Sequence, residues 1–276
     1  MIEARVIEAI VASAFGLVIG SFLNVCIHRW PRNRSVIKPR SHCVRCRKPI
    51  AWYDNIPVLS YLILRGRCRH CGKHISWRYP LVELLTGTLF FIIVLEKGTA
   101  DQGHIAAALK GCVFAAILVA LIFSDLEKRL LPDELTKGGI LIGLAFAPFV
   151  PVSDLPTQMV LSLCGLELTG RPLSLAASAF GAFGPAFILW GTGWLYSKIR
   201  HRDGLGFGDV KLVSMIGSFL GLQSALLTLV LGSVAGSLIG YSYIKLTGKD
   251  AATYELPFGT FLGAAALAVA FCGAGC

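Results

Sequence analysis

Long apolar runs separated by short polar ones set the pattern of this chain, and the runs lack the polar face of a surface helix in a soluble domain. The first extends from about Val6 to Ile27 (VIEAIVASAFGLVIGSFLNVCI), enough at about 1.5 Å per residue to cross a hydrocarbon core of about 30 Å. From His28 to Arg78 the pattern gives way to basic residues, cysteines and turn signals such as Asp54-Asn55, a stretch that cannot cross a bilayer. Apolar runs resume at Pro80 to Leu95, Ile105 to Phe123, Gly138 to Val150, Leu173 to Tyr196, Val210 to Leu222, Ser224 to Ile244 and Pro257 to Phe271. The pattern predicts an all-α polytopic membrane protein of about eight transmembrane helices, with a small cytoplasmic domain inserted after the first. The runs that start at Gly138 and Val210 are short enough to be tilted or partly re-entrant. The domain division that follows is 1–27 for the first helix, 28–79 for the insert and 80–276 for the remaining membrane domain.

Composition agrees with this pattern. Of the 276 residues 55% are hydrophobic and 15% charged, with a mean hydropathy of +0.67, which argues against a single soluble globule, while the long apolar runs exclude a disordered chain and a collagen-like one. Thirty glycines suit closely packed membrane helices, where small residues let backbones approach. Glu3 and Glu8 around Arg5 are the wrong flank for a cleaved secretory signal, so the first run is expected to remain in the mature protein. The net charge of +10 would suggest nucleic acid in a soluble chain, but here it maps onto loops. With eight spans and the N-terminus outside, 20 of the 26 Lys and Arg fall in the loops at 28–78, 124–136, 197–209 and 245–256, all on the cytoplasmic side. The opposite loops hold only Arg5, Lys97 and Arg171, as the positive-inside rule requires.

The insert carries the strongest local motif. Cys43-Val44-Arg45-Cys46 and Cys68-Arg69-His70-Cys71 are two CxxC pairs separated by 21 residues, the spacing of a four-thiolate zinc site closed by two knuckles. A reducing cytoplasm disfavours disulfides, and an insert of this size is too small to be stable on its own core, so a structural zinc is expected to supply the stability. His42, His70 or His74 offers a substitute for one thiolate, and a redox-active CxxC is the competing reading. Cys26, Cys112, Cys164, Cys272 and Cys276 lie in or beside apolar runs without metal spacing and are expected to be small buried hydrophobes.

Ionisable groups at membrane depth are costly, so each calls for a reason. Asp125 follows ILVALIFS directly and Asp209 precedes VKLVSMIGSFLG directly, which puts both at cytoplasmic ends of spans. Two carboxyls brought together in a low-dielectric pocket share a proton, so that one activates water while the other polarises a peptide carbonyl. Asp133 lies eight residues past Asp125, about 12 Å even in continuous helix, and Pro132 argues that the helix stops before it. Asp203 in HRDGLGFGD reads as a solvated or capping group, and Glu83 in RYPLVELL is a further unexplained carboxylate at a cytoplasmic span end. Spacing leaves the choice of pair open, with helix caps, surface ion pairs and snorkelling charges as the competing readings. Gly204-Leu205-Gly206-Phe207-Gly208-Asp209 lacks the strand–turn–helix context of a dinucleotide fingerprint and reads instead as a loop that lets backbone approach closely around Asp209.

Taken in order, GLVIGSFLNVCIHRWP, the two CxxC pairs around DNIPVLSYLILRGRC, RYPLVELLTG, SDLEKRLLPDELT, GFGDVKL and LPFGTFLG resemble the motifs of bacterial type IV prepilin peptidases. These are bifunctional leader peptidase and N-methyltransferase enzymes of type IV pilus and type II secretion systems, and the resemblance covers nearly the whole chain. It implies a GxGD-type membrane aspartic protease with Asp125 and Asp209 as its catalytic pair. It also implies a pilin or pseudopilin precursor as substrate, S-adenosylmethionine as methyl donor, the bilayer as surroundings and no nucleic-acid partner. The family associates methylation with the zinc domain, and its glycine-basic pair before the third cysteine falls on Gly66 and Arg67, where members often carry Lys. Glu83 and Asn24, at the span ends that flank that domain, are candidates to shape the methyl-transfer site, although hydrogen-bonding between helices is the commoner use of such residues. The implied location is the bacterial inner membrane. Two alternatives stand beside this reading: a related peptidase without methylation, and a proton-coupled transporter using the same aspartates as a relay.

Overall fold

A computed structural model of the chain describes residues 2–152, 154–200, 206–248 and 256–272. Each of the eight apolar runs forms a helix: α1 (Ile2–Arg29), α3 (Arg78–Lys97), α4 (Gln102–Lys128), α5 (Asp133–Phe146), α7 (Arg171–Arg200), α8 (Phe207–Leu220), α9 (Leu222–Thr247) and α10 (Phe258–Cys272). Two further helices are short, α2 (Leu59–Ile63) and α6 (Leu155–Leu163), and the described residues hold no strand beyond two isolated bridges. Among the described residues five helices (α1, α3, α4, α7 and α9) are long and apolar enough to cross a membrane. By contrast α5 and α8, with 14 residues each, rise only about 21 Å.

The helices gather into two compact units, 1–120 and 121–276. In the first, α1 and α3 pack antiparallel through a Gly-x-x-x-Gly stripe. A Cβ on Gly16 would stand 2.9 Å from the Gly87 Cα, and one on Gly20 would stand 2.7 Å from the Glu83 Cα, so only glycine allows this approach. Around the stripe Leu23, Cys26 and Ile27 of α1 and Val82, Leu89, Phe90 and Ile93 of α3 are buried.

In the second unit α8 is the central element: Leu212, Val213, Met215, Ile216 and Phe219 are all buried to within 1% of complete. It meets α7 backbone to backbone, because a Cβ on Gly217 would collide with the carbonyl of Gly181. Gly217→Val is therefore expected to cost about 3 kcal/mol or more and to lower the melting temperature of the solubilised protein. Gly138→Ala, where an added Cβ meets nothing within 4 Å, is the control expected to leave melting unchanged; equal melting of the two variants would refute the close α7–α8 approach.

A carboxylate at the other end of this unit was not singled out by sequence reasoning. Asp154 is 1% exposed and caps two helices at once. Its Oδ2 accepts the Thr157 N–H (3.1 Å) and the Thr157 hydroxyl at the head of α6, while Oδ1 accepts the Gln223 N–H (2.8 Å) at the head of α9. Both oxygens are thus committed to helix termini, a structural task. Of the remaining cysteines Cys26 and Cys112 are buried, but Cys164 and Cys272 are exposed, contrary to expectation. The physical reason is position: Cys164 caps the C-terminus of the short α6, and Cys272 ends α10. Cys276 lies outside the described residues.

Candidate functional site

The local geometry at Asp125 follows from how α4 stops. Arg129 adopts a left-handed conformation (φ 52°), its N–H bonds the Asp125 carbonyl at 2.8 Å, and the Ser124 hydroxyl donates to the Leu130 carbonyl at 2.8 Å. The chain turns here, and Pro132 then precedes α5. Asp125 is left in the last turn of α4, only 5% exposed. Its Oδ2 accepts two hydrogen bonds from the head of α10, one from the Thr260 N–H at 2.7 Å and one from the Thr260 hydroxyl at 2.9 Å. The glycine before it leaves this approach room: a Cβ on Gly259 would lie 3.2 Å from that same oxygen, a tight contact.

Asp209 stands in the first turn of α8, where a carboxylate complements the helix dipole, and its N–H donates to the Gly206 carbonyl at 3.0 Å. Half-buried, it lies close enough to Asp125 for the two carboxyls to interact electrostatically. Leu131 helps to set this approach. Its Cδ1 would touch a Cβ on Gly208, beside Asp209, at 3.3 Å and a Cβ on Gly259, beside the Asp125 carboxylate, at 3.2 Å. One apolar side chain is thus wedged against the glycines that neighbour both acids.

Asp133 is engaged elsewhere. It pairs with Lys137 at 2.7 Å and with Lys211 at 2.5 Å, and Lys211 also lies over the Phe207 ring at 4.9 Å. This cluster ties the head of α5 to the head of α8 one half-turn beyond Asp209. Asp203, Gly204 and Leu205 lie outside the described residues.

In the first unit the four cysteines of the insert converge. The sulfurs of Cys43, Cys46, Cys68 and Cys71 all lie within 4.8 Å of one another, with Cys43 and Cys71 at 3.9 Å. Four thiolates around zinc at about 2.3 Å would stand about 3.8 Å apart, so the cluster fits the metal, and no histidine joins it. The two halves are built alike. Cys43 donates its N–H to the Lys48 carbonyl (3.0 Å) and Cys68 to the Lys73 carbonyl (2.9 Å), while Arg47 (φ 60°) and Gly72 (φ 65°) make the same left-handed turn. A repeat C-x-x-C-x-K-x-I-x-W, at residues 43–52 and again at 68–77, underlies this symmetry and is readable in the sequence. Backbone N–H groups of Cys71 and then His70 draw the Cys68 thiol down to about 7, which favours the thiolate a metal requires. Nearby, Arg69 grips Asp54 with two bonds of 2.8 and 2.6 Å and holds that carboxyl below its usual range.

The remaining candidates surround the joints of the insert with its helices. Gly66 (φ 66°) donates to the Tyr61 carbonyl at 2.8 Å and accepts from Ile75 at 2.7 Å, and a Cβ there would strike the Tyr61 hydroxyl, so glycine is needed by the turn itself. Arg67 is exposed. Glu83 is 7% exposed and accepts the N–H of Val58 at 2.8 Å, a β-branched residue held at an unfavourable φ of 60°. Asn24, 2% exposed, donates to the Tyr79 carbonyl at 3.0 Å, while its buried Oδ1 has no hydrogen-bond partner among the described residues.

Two family descriptions match the chain. Residues 14–97 match the Bacterial Peptidase A24 N-terminal domain and residues 112–241 match the Type IV leader peptidase family. The chain is 40% identical to a prepilin leader peptidase/N-methyltransferase of Myxococcus xanthus over 87% of its own length and 64% of the relative's. It is 35% identical to the protein of that name in Aeromonas salmonicida, over 91% of this chain and 86% of that one. For the Burkholderia pseudomallei protein the figures are 33%, 95% and 84%. No solved structure matches the chain.

Proposed function

The chain belongs to the Type IV leader peptidase family, and from that membership we infer that it removes the leader peptide of type IV prepilin-like precursors and methylates the amine so freed. It is a membrane protein of that family, in the bacterial inner membrane. The finer reading is an eight-span topology with the N-terminus outside, which puts the insert at 28–79 and both aspartates on the cytoplasmic side. Positive-inside charge supports it.

Asp125 and Asp209 are the catalytic pair in this reading. The observation that carries it is the placing of two carboxyls within electrostatic reach, one deeply buried and doubly hydrogen-bonded, on three helix ends that share no sequence neighbourhood. One carboxylate takes a proton from water, the oxygen attacks the scissile carbonyl, and the protonated partner donates to the carbonyl oxygen. Collapse of the tetrahedral intermediate returns that proton arrangement and releases the new amine. The glycines at 206, 208 and 259 leave room for an extended peptide backbone beside the acids.

Zinc, held by Cys43, Cys46, Cys68 and Cys71, is structural in this reading, since four thiolates leave no open position. S-adenosylmethionine supplies the methyl group. The acceptors Glu83 and the unpartnered Asn24 Oδ1 suit a cationic donor or an amine, and Gly66 with Arg67 complete the proposed methyl-transfer region. The test is mass spectrometry of a prepilin-like precursor co-expressed with the chain. Loss of the leader together with an increment of about 14 Da on the mature product is the expected result. An intact precursor would overturn the peptidase reading and favour the transporter, whereas cleavage without the increment would leave a peptidase that does not methylate.

A further inference from the structure

We propose that Thr260 is a positioning residue that fixes the negative charge on Asp125, so that Asp125 acts as the base toward water and Asp209 as the acid toward the scissile carbonyl. This rests on the assignment of the two aspartates as the catalytic pair and adds a division of labour to it. The two carboxyls are in unlike surroundings. Asp125 Oδ2 receives the N–H and the hydroxyl of Thr260, at 2.7 and 2.9 Å, while the hydroxyl's other acceptor, the Ile122 carbonyl, lies farther off at 3.4 Å. The first turn of α10 directs the positive potential of its helix dipole at the same oxygen. Among the described residues none donates to the carboxyl of Asp209, which lies within electrostatic reach of Asp125. A hydrogen bond donated by a hydroxyl and an amide is strongest to the ionised form of the acceptor, so the shared proton settles on Asp209.

The other charged groups around Asp125 do not reverse this. Arg129, one turn on in α4, carries a positive charge that favours the same ionised form. Asp133 of α5 is held by Lys137 and Lys211, and α10 brings no charged side chain of its own. The proton inventory then balances through one turnover. Asp125 takes a proton from water as the oxygen–carbon bond forms, Asp209 gives its proton to the carbonyl oxygen, and on collapse Asp125 protonates the leaving amine while Asp209 recovers the hydroxyl proton.

The experiment is the pH profile of leader cleavage by the full chain in detergent or nanodiscs, for the wild type, Thr260→Val, Thr260→Ser and Asp125→Asn. Removing the hydroxyl in Thr260→Val is expected to lower kcat by about 10-fold or more with KM nearly unchanged. The acid limb of the profile is expected to move to higher pH by about one unit, because the ionised form has lost a donor. Thr260→Ser is expected to restore both. A wild-type limb in Thr260→Val, a shift confined to the alkaline limb, or equal impairment in Val and Ser would each overturn the assignment. Should the Val variant fail to fold, as judged by its melting transition, Thr260→Cys gives the same comparison with a weaker donor of similar size. Wild-type cleavage by Asp125→Asn would overturn the pair itself, whereas an inactive Asp125→Asn beside an unaffected Thr260→Val would overturn only the role given to Thr260.

Discussion

Asp125→Asn and Asp209→Asn are each expected to lower leader cleavage at least about a thousandfold, because on the proposed mechanism each removes one half of a proton-transfer pair that acts as a unit. The amide is nearly isosteric with the acid, so the surroundings persist. In Asp125→Asn the amide oxygen still accepts from Thr260, which preserves the joint between α4 and α10 while removing the proposed base. In Asp209→Asn the amide can still donate to a carbonyl but cannot release the proton. The double variant is expected to be no worse than either single one. Methylation follows as a dependent readout, since no free amine exists until the leader is gone. Cleavage at the wild-type rate by either variant, measured on a purified precursor, would rule out the paired-carboxylate mechanism. Additive losses in the double variant would show that the two acids act independently.

That pair illustrates what the sequence could and could not disclose. Helices were legible because apolar runs long enough to cross a bilayer have no alternative structure there: every backbone group must be satisfied within the segment. The cysteine cluster was legible because two CxxC turns specify their own local geometry, down to the left-handed residues at Arg47 and Gly72. Asp125 and Asp209 could be flagged one at a time as carboxylates at span ends, but spacing alone could not pair residues so far apart in the chain. Thr260 was invisible for a similar reason. Nothing in LPFGTFLG says that its threonine will meet an aspartate 135 residues earlier. Asp154 was missed because its two caps join helix heads that only the tertiary fold brings together, and because α6 is too short to stand out as an apolar run. Glu83 was noticed as an anomaly, yet the structure gives it a definite task, anchoring the Val58 amide of the insert to α3.

Changing Cys43 and Cys68 together to Ser, or removing metal with a chelator, is expected to unfold the insert while the membrane helices remain. The reason lies in what the insert lacks. No buried hydrophobic residue occurs between Ile27 and Val82, and its aliphatic and aromatic side chains such as Ile37, Trp52, Leu62 and Ile63 are largely exposed. A segment of this size without a core cannot offset the entropy of ordering its backbone. What remains is turn hydrogen bonds, a few side-chain bonds such as those of Arg29 to the Ser35 and Pro39 carbonyls and of Ser60 to the Tyr53 carbonyl, the Arg69–Asp54 pair on the surface and the contact of Glu83 with Val58. An ion pair at the surface contributes at most about 1 kcal/mol, whereas a four-thiolate zinc site contributes on the order of 10 kcal/mol at neutral pH. With zinc bound at the four cysteines, as proposed, the metal decides whether the insert is folded. Zinc content of the purified protein is expected to fall from about one per chain to near zero in the double variant. Trypsin is expected to cut rapidly between residues 32 and 73, where its Lys and Arg targets are dense, and the Val58–Glu83 joint would then be lost with the fold. Methylation is expected to disappear with the insert. Undiminished zinc would place the metal elsewhere, and an insert that stays protease-resistant without zinc would show that its exposed apolar side chains are packed against something other than solvent.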